Sequence, residues 1–242
     1  MELTERQKSE FRDLGILTLE GFIPKREVAK VKASLKAGLD KISTAKIRDL
    51  PIFQQSATLS QMVDGGPGLD ELISRELVEL MQALAKAKLK PYHPRPQLLL
   101  SLPHREEWSL ARLNWHLDAK VPRNDEVPGI QAFVLIDDVR PRGGATLAIA
   151  GSHRLPYMKG NESRSAHSPL RRHPIFSTLY DQSKSEPEPL FKSNLVDGVE
   201  VRVVEMTGQA GDVFLMDMRV LHTPSMNSTK FIRMMATSRF LK

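Results

Sequence analysis

The 242-residue chain contains no cysteine. That absence removes disulfides, thiolate nucleophiles, iron–sulfur clusters and cysteine-bound zinc together. Any metal must be held by histidine, aspartate or glutamate, a donor set that suits iron, manganese or a mixed His/carboxylate zinc site. The opening MELTERQKSEF has no apolar signal core, and no later run approaches membrane-spanning length. The cytoplasm is therefore the expected location, with no membrane partner. No nucleotide-recognition motif is evident. The 35 basic residues exceed the 29 acidic ones, for a net charge of +6, but they are spread along the chain. Their one local concentration is Arg164, Arg171 and Arg172 with His167 and His173, in a stretch that reads as a loop. Such a balance attracts acidic small molecules or nucleic acid; the bland reading is a solvated surface.

At this length the chain is expected to fold as a single domain over residues 1–242, with a well-buried core. Thr4 and Gln7 have capping-box spacing, and Gly15 stops a short first helix. A strand, ILTLEGF, follows. Pro24 then opens a helix with Val28, Val31, Leu35, Leu39 and Ile42 on one face. Residues 43–60 give no clear period. After DGGPG (64–68) comes a helix carrying Ile73, Leu77, Leu80 and Leu84, ended by Pro91, Pro94 and Pro96. From there strands are expected at 97–102, 109–117, 130–139, 146–151, 198–207, 211–221 and 230–240. Helices first and evenly spaced strands later predict a mainly β fold. It is a cupin-like jelly roll from about residue 96, buttressed by a helical part over about 1–95. Residues 152–196, rich in serine, proline and basic side chains, read as a loop forming a lid over the barrel mouth, or as an insert without function.

His116 and Asp118 in RLNWHLDAK stand two residues apart, so on a strand both side chains share a face. Far downstream come His222 in MRVLHTPS and, eleven residues later, Arg233 in KFIRMMA. Each motif alone is commonplace, since a His-x-Asp can be a core pair and a lone histidine is usually structural. Their conjunction carries the signal. Two imidazoles and one carboxylate cap one face of an octahedral Fe(II) and leave three positions open. A guanidinium within an apolar strand needs an anionic partner. That partner is either a structural carboxylate, Asp212 or Asp217, or the acid end of a bidentate co-substrate, 2-oxoglutarate. The triad favours the co-substrate. Trp108 and Trp115 are expected to pack the core.

The segment IDDVRPRGGATLAIAGSHRL (136–155) closely resembles a stretch of the phytanoyl-CoA dioxygenase family. So do TERQKSEFRDLGILTLEGFI (4–23) and AGDVFLMDMRVLHTPSMNSTKFIR (210–233), the latter with an asparagine in the turn after the histidine. The resemblance implies a double-stranded β-helix enzyme using Fe(II), 2-oxoglutarate and dioxygen to oxidise a small molecule, with release of succinate and CO2. It implies that His116, Asp118 and His222 bind the iron and Arg233 grips 2-oxoglutarate. It places Phe133 in the site wall with Gln131 on the same face, and Thr146 as a hydrogen-bond donor to the co-substrate. Gly143 and Ala150 depart from the family pattern only in turns. Pro224 replaces a serine that touches the co-substrate in several members, and His153 of the GSH motif reads as structural. Asp118 stands where related halogenases carry glycine or alanine, which favours hydroxylation.

For substrate, Arg112 and Asn114 share strand parity with His116, and His104, Trp108 and Lys120 are nearby candidates; their basic character points to an acidic metabolite. Two other readings stand beside this one. Arg233 and Arg239 have a spacing also found in iron demethylases of nucleic-acid bases, although the histidine-to-arginine gap fits that class less well. A non-enzymatic cupin-like module that binds a metal or ligand is the third.

Overall fold

A computed structural model describes residues 2–63, 68–104, 107–111, 113–118, 126–156, 162–181 and 187–242. Helix α1 (Glu5–Leu14) begins as its sequence demands. The Thr4 hydroxyl accepts from Gln7 N at 3.2 Å, and the Gln7 side chain accepts from Thr4 N at 2.9 Å. Gly15, at φ +72°, closes the helix in the left-handed region and turns the chain into β1 (Ile16–Leu19). Then follow α2 (Lys25–Leu39), α3 (Ile52–Met62), α4 (Gly68–Glu71), α5 (Arg75–Ala85), β2 (Lys90–Pro91) and β3 (Gln97–Ser101). The second half contains β4 (Gly129–Leu135), β5 (Thr146–Ala150), α6 (Glu162–Arg172), α7 (Glu188–Phe191), β6 (Asn194–Val196) and β7 (Val199–Glu205). It ends with β8 (Val213–Asp217), β9 (His222–Pro224) and β10 (Arg233–Leu241). No helix among the described residues is long and apolar enough to cross a membrane.

The strands form two sheets. The larger runs β1-β8-β4-β10-β2, with β3 also paired to β10; the smaller runs β6-β7-β5-β9, and every pairing is antiparallel. Alternation of side chains divides each strand between two environments. On the larger sheet Ile130, Ala132, Val134, Met234, Ala236 and Phe240 pack against Val28, Val31, Leu35, Leu77, Leu80 and Leu84 of the helices. Their neighbours Phe133, Leu135, Phe214, Met216 and Met235 turn the other way and meet Ala148 and Ala150 of the smaller sheet. The space between the sheets is therefore a barrel interior, which agrees with the expected jelly roll on a helical buttress.

Two expectations need correction. The strand expected over 109–117 is reduced to an isolated antiparallel bridge, His116 with His222. Leu110 and Trp115 of that segment are buried, but against the outer layer rather than in a ladder. The stretch 152–196, expected as a lid loop, is largely helical where described. Ala166, Leu170, Phe176, Leu179 and Leu190 pack with Leu147, Ile149, Val201 and Val203 on the outer face of the smaller sheet. It is a packed third layer, because it covers the apolar side of that sheet, which would otherwise face water.

That assignment is testable by stability. Phe176 is fully buried, so Phe176→Ala should lower the unfolding free energy by about 3–5 kcal/mol in urea titration. A variant as stable as the parent would mean that the segment is a loosely attached lid.

Candidate metal and co-substrate site

His222 begins β9, and its backbone exchanges two hydrogen bonds with His116: His116 N donates to His222 O at 2.9 Å and His222 N to His116 O at 3.1 Å. As directly opposed residues they place both rings on one side, with centroids 4.6 Å apart. Asp118 follows in a bend rather than along a regular strand. Its Oδ1 lies 3.3 Å from His116 Nε2 and its Oδ2 3.4 Å from His222 Nε2. These separations approach the roughly 3 Å expected between neighbouring ligands that each sit about 2.1 Å from one ion. Ligand atoms of the three residues all lie within 4.8 Å of one another, and among the described residues they form the one His/Asp/Glu group able to hold a metal ion.

The far edges of the rings settle the tautomer. His116 Nδ1 is 2.7 Å from the Asn114 carbonyl and His222 Nδ1 is 3.2 Å from the Val220 carbonyl. A carbonyl only accepts, so both Nδ1 atoms carry the proton and both Nε2 lone pairs face Asp118. Burial alone would raise the Asp118 pKa, but the two histidines, which donate to it once Nε2 is protonated as well, and the nearby Arg239 charge outweigh it and hold the carboxyl well below its usual range. Burial likewise opposes a charge on His116, yet the Asp118 carboxylate and the Asn114 carbonyl raise its pKa.

Arg233 opens β10 on the interior face and is 5% exposed. Its Nε donates to Gly144 O at 2.6 Å and its Nη1 to Leu99 O at 2.9 Å. Gly144 has φ +76°, and a side chain there would run into Ser101 Oγ, so glycine is required to bring that carbonyl in. Neither carboxylate considered as a structural partner is engaged. Asp217 is bound by Arg219 at 2.6 Å, and Asp212 accepts from Gly21 N and Gln209 N at 2.7 Å each. Among the described residues no carboxylate pairs with Arg233. Burial accordingly lowers its pKa to about 10, with the Asp137 charge acting in the opposite sense. A desolvated guanidinium with carbonyls alone for company is suited to an anion.

Between Arg233 and the triad runs a ladder of interior positions. Thr146 and Ala148 of β5 share a face, Ala148 is the Cα partner of His222, and Gly144 lies just ahead of the strand. Thr146 is buried, and the Phe133 ring stands edge-on to His222 at 6.2 Å. Gln131 is also buried; its Nε2 donates to Thr237 Oγ1 at 3.1 Å while its Oε1 has no partner among the described residues.

The substrate candidates fare differently. Arg112 and Lys120 lie outside the described residues. Asn114 is exposed and contributes its backbone carbonyl, not its amide, to His116. His104 donates its backbone N to Asn227 O at 2.7 Å, beside the Ser101 that pairs with Arg233, and so belongs to the Arg233 end of β10. His153 is structural, its Nε2 held at 3.0 Å by Arg12 O, and Trp108 and Trp115 belong to the outer apolar layer. Arg239 is the residue whose contact was not foreseen: its Nε donates to Asp118 Oδ2 at 2.6 Å and its Nη1 to Gln97 Oε1 at 2.6 Å. Its even spacing from Arg233 on one strand was the available signal.

The geometry predicts a metal-dependent gain in stability. Ni(II) at a hundredfold excess over its dissociation constant should add about 2.7 kcal/mol, or roughly 5–10 °C in melting temperature for a chain of this size. His222→Ala should abolish the shift; a shift that survives in this variant would place the ion elsewhere.

No curated protein matches the chain. Many solved structures share its fold, among them the following three. The non-heme alpha ketoglutarate dependent carbocyclase SnoK from nogalamycin biosynthesis is 17% identical, with a TM-score of 0.64 over 99% of this chain and 84% of its own. EvdO2 from Micromonospora carbonacea var. aurantiaca, complexed with 2-oxoglutarate, is 16% identical, with a TM-score of 0.59 over 100% and 92%. HygX from Streptomyces hygroscopicus, with nickel and 2-oxoglutarate bound, is 15% identical, with a TM-score of 0.57 over 99% and 87%. Residues 11–235 match the family described as Phytanoyl-CoA dioxygenase (PhyH). The chain belongs to the phytanoyl-CoA dioxygenase family and is a dioxygenase-type enzyme.

Proposed function

We propose that the chain is an Fe(II)- and 2-oxoglutarate-dependent oxygenase that hydroxylates a C–H bond of a small acidic metabolite or natural-product intermediate. The observation that carries the reading is the convergence of His116, Asp118 and His222, with the buried Arg233 left without a carboxylate. His116 Nε2, His222 Nε2 and one Asp118 oxygen would hold the iron. Arg233 would take the distal carboxylate of 2-oxoglutarate, the co-substrate bound in EvdO2 and HygX. Thr146 would donate to that carboxylate, and Phe133 would wall off the space beside His222. The lone Gln131 Oε1 offers an acceptor to a donor on the substrate or an ordered water. Bound iron supplies the oxidation: as dioxygen is consumed, 2-oxoglutarate loses CO2 to give succinate and the substrate gains a hydroxyl.

The protein's own contribution is position and dryness. The rings cannot turn, because their Nδ1 protons are tied to carbonyls. The apolar side chains Phe133, Leu135, Met216 and Met235 fill the barrel beneath them and keep water out. The acidic substrate follows from the net charge of +6 and from Arg112 and Lys120 next to the triad in sequence.

Two measurements test this. His116→Ala and Asp118→Ala should each end succinate release, and wild-type-like release from either would contradict the assignment. Arg233→Met removes a charge-assisted hydrogen bond worth about 1.5–3 kcal/mol, so the KM for 2-oxoglutarate should rise about ten- to hundredfold. An unchanged KM would assign Arg233 a structural role. A metabolite panel scored by succinate release and product mass then identifies the substrate.

A further inference from the structure

The geometry points to Arg239, braced by Gln97, as a positioning residue that keeps Asp118 a one-oxygen ligand and so holds the third open iron position free for dioxygen. This inference rests on the function proposed above. Arg239 lies on β10, on the interior face, and reaches across to a residue 121 positions earlier in the chain. Its Nε donates to Oδ2 of Asp118 at 2.6 Å; that oxygen also lies 3.4 Å from His222 Nε2, while Oδ1 lies 3.3 Å from His116 Nε2. Its Nη1 is fixed by Gln97 Oε1 at 2.6 Å; Gln97 sits on β3, where it pairs with Thr237 of β10. The guanidinium is thus held by both its edges, and only 16% of its side chain is exposed.

The consequence is a matter of counting. A carboxylate can coordinate through one oxygen or through both. Two imidazoles and a one-oxygen carboxylate fill three of six positions; a chelating co-substrate takes two more, and one remains. A two-oxygen carboxylate would fill that last position. A charge-assisted bond to Oδ2 would compete with the ion for that oxygen, leaving Oδ1 as the ligand, and it fixes the plane of the carboxylate. Arginine suits the task better than lysine, because its planar fork serves two acceptors at once. The same contact gives the bend after His116 a fixed end, where regular strand geometry supplies none.

The test uses nitric oxide as a non-turnover stand-in for dioxygen, on anaerobic protein loaded with Fe(II) and 2-oxoglutarate, read by the spin signal of the iron nitrosyl. Arg239→Gln should retain the co-substrate with unchanged affinity but bind nitric oxide about tenfold or more weakly, the scale of lost outer-shell bonds at metal sites. Gln97→Ala, at an exposed residue that touches no ligand, should show a smaller loss in the same direction. Wild-type nitric oxide affinity in Arg239→Gln overturns the inference. Parallel loss of 2-oxoglutarate and nitric oxide also overturns it, because that marks a merely structural role. If Arg239→Gln does not fold, wild-type behaviour in folded Gln97→Ala overturns it instead. Failure of the unmodified protein to form any nitrosyl would sink the proposed function itself.

Discussion

The site depends on two backbone hydrogen bonds. His116 and His222 are 106 positions apart in the chain, and the pair of bonds between their amides and carbonyls is what sets their rings side by side. Without that bridge, the segment from Glu107 to Asp118 has no ladder to join. Its register comes from this single pairing, from burial of Leu110 and Trp115 against the outer layer, and from the Arg239 contact to Asp118. A donor set assembled in this way is only as rigid as the sheets behind it. That explains why so much of the chain is spent on covering both of them.

The layers divide the labour. The helices from the first third of the chain bury the outer face of the larger sheet, and the 162–191 helices bury the outer face of the smaller one. With both faces supported, the interior can carry polar groups at the cost of their desolvation: Arg233, Gln131 and Thr146 are buried there. Burial lowers the pKa of Arg233, and under the proposed function a bound anion compensates that charge. Under the proposed function, a preference for an anionic ligand has the same origin, since a neutral one would leave the cation uncompensated. The positive charge on Arg239, in contrast, is already matched within the protein.

Much of this was legible in the sequence, and the reasons differ by residue. The first helix was readable because Thr4 and Gln7 interact locally, within one turn. The triad and Arg233 were readable because their order and gaps are rare in combination, although no single spacing was informative. The 152–196 layer was misread because its burial is sparse. Ala166 and Leu170 keep helical spacing, but the polar residues around them and Pro169 inside the helix hide the period. The 109–117 strand was overread, since the burial of Leu110 and Trp115 is decided by tertiary packing rather than by alternation. Arg239 shares its strand face with Arg233, which was visible; its partner, 121 residues distant, was not.

Under the proposed function one ferrous ion and the 2-oxo acid meet at His116, Asp118 and His222. The most direct measurement is the visible spectrum of the anaerobic protein after addition of Fe(II), then of 2-oxoglutarate. Chelation of iron by the 2-oxo acid at this site predicts a weak charge-transfer band that needs both additions and disappears in Asp118→Ala. Iron binding without such a band, or a band that persists in that variant, would contradict the account.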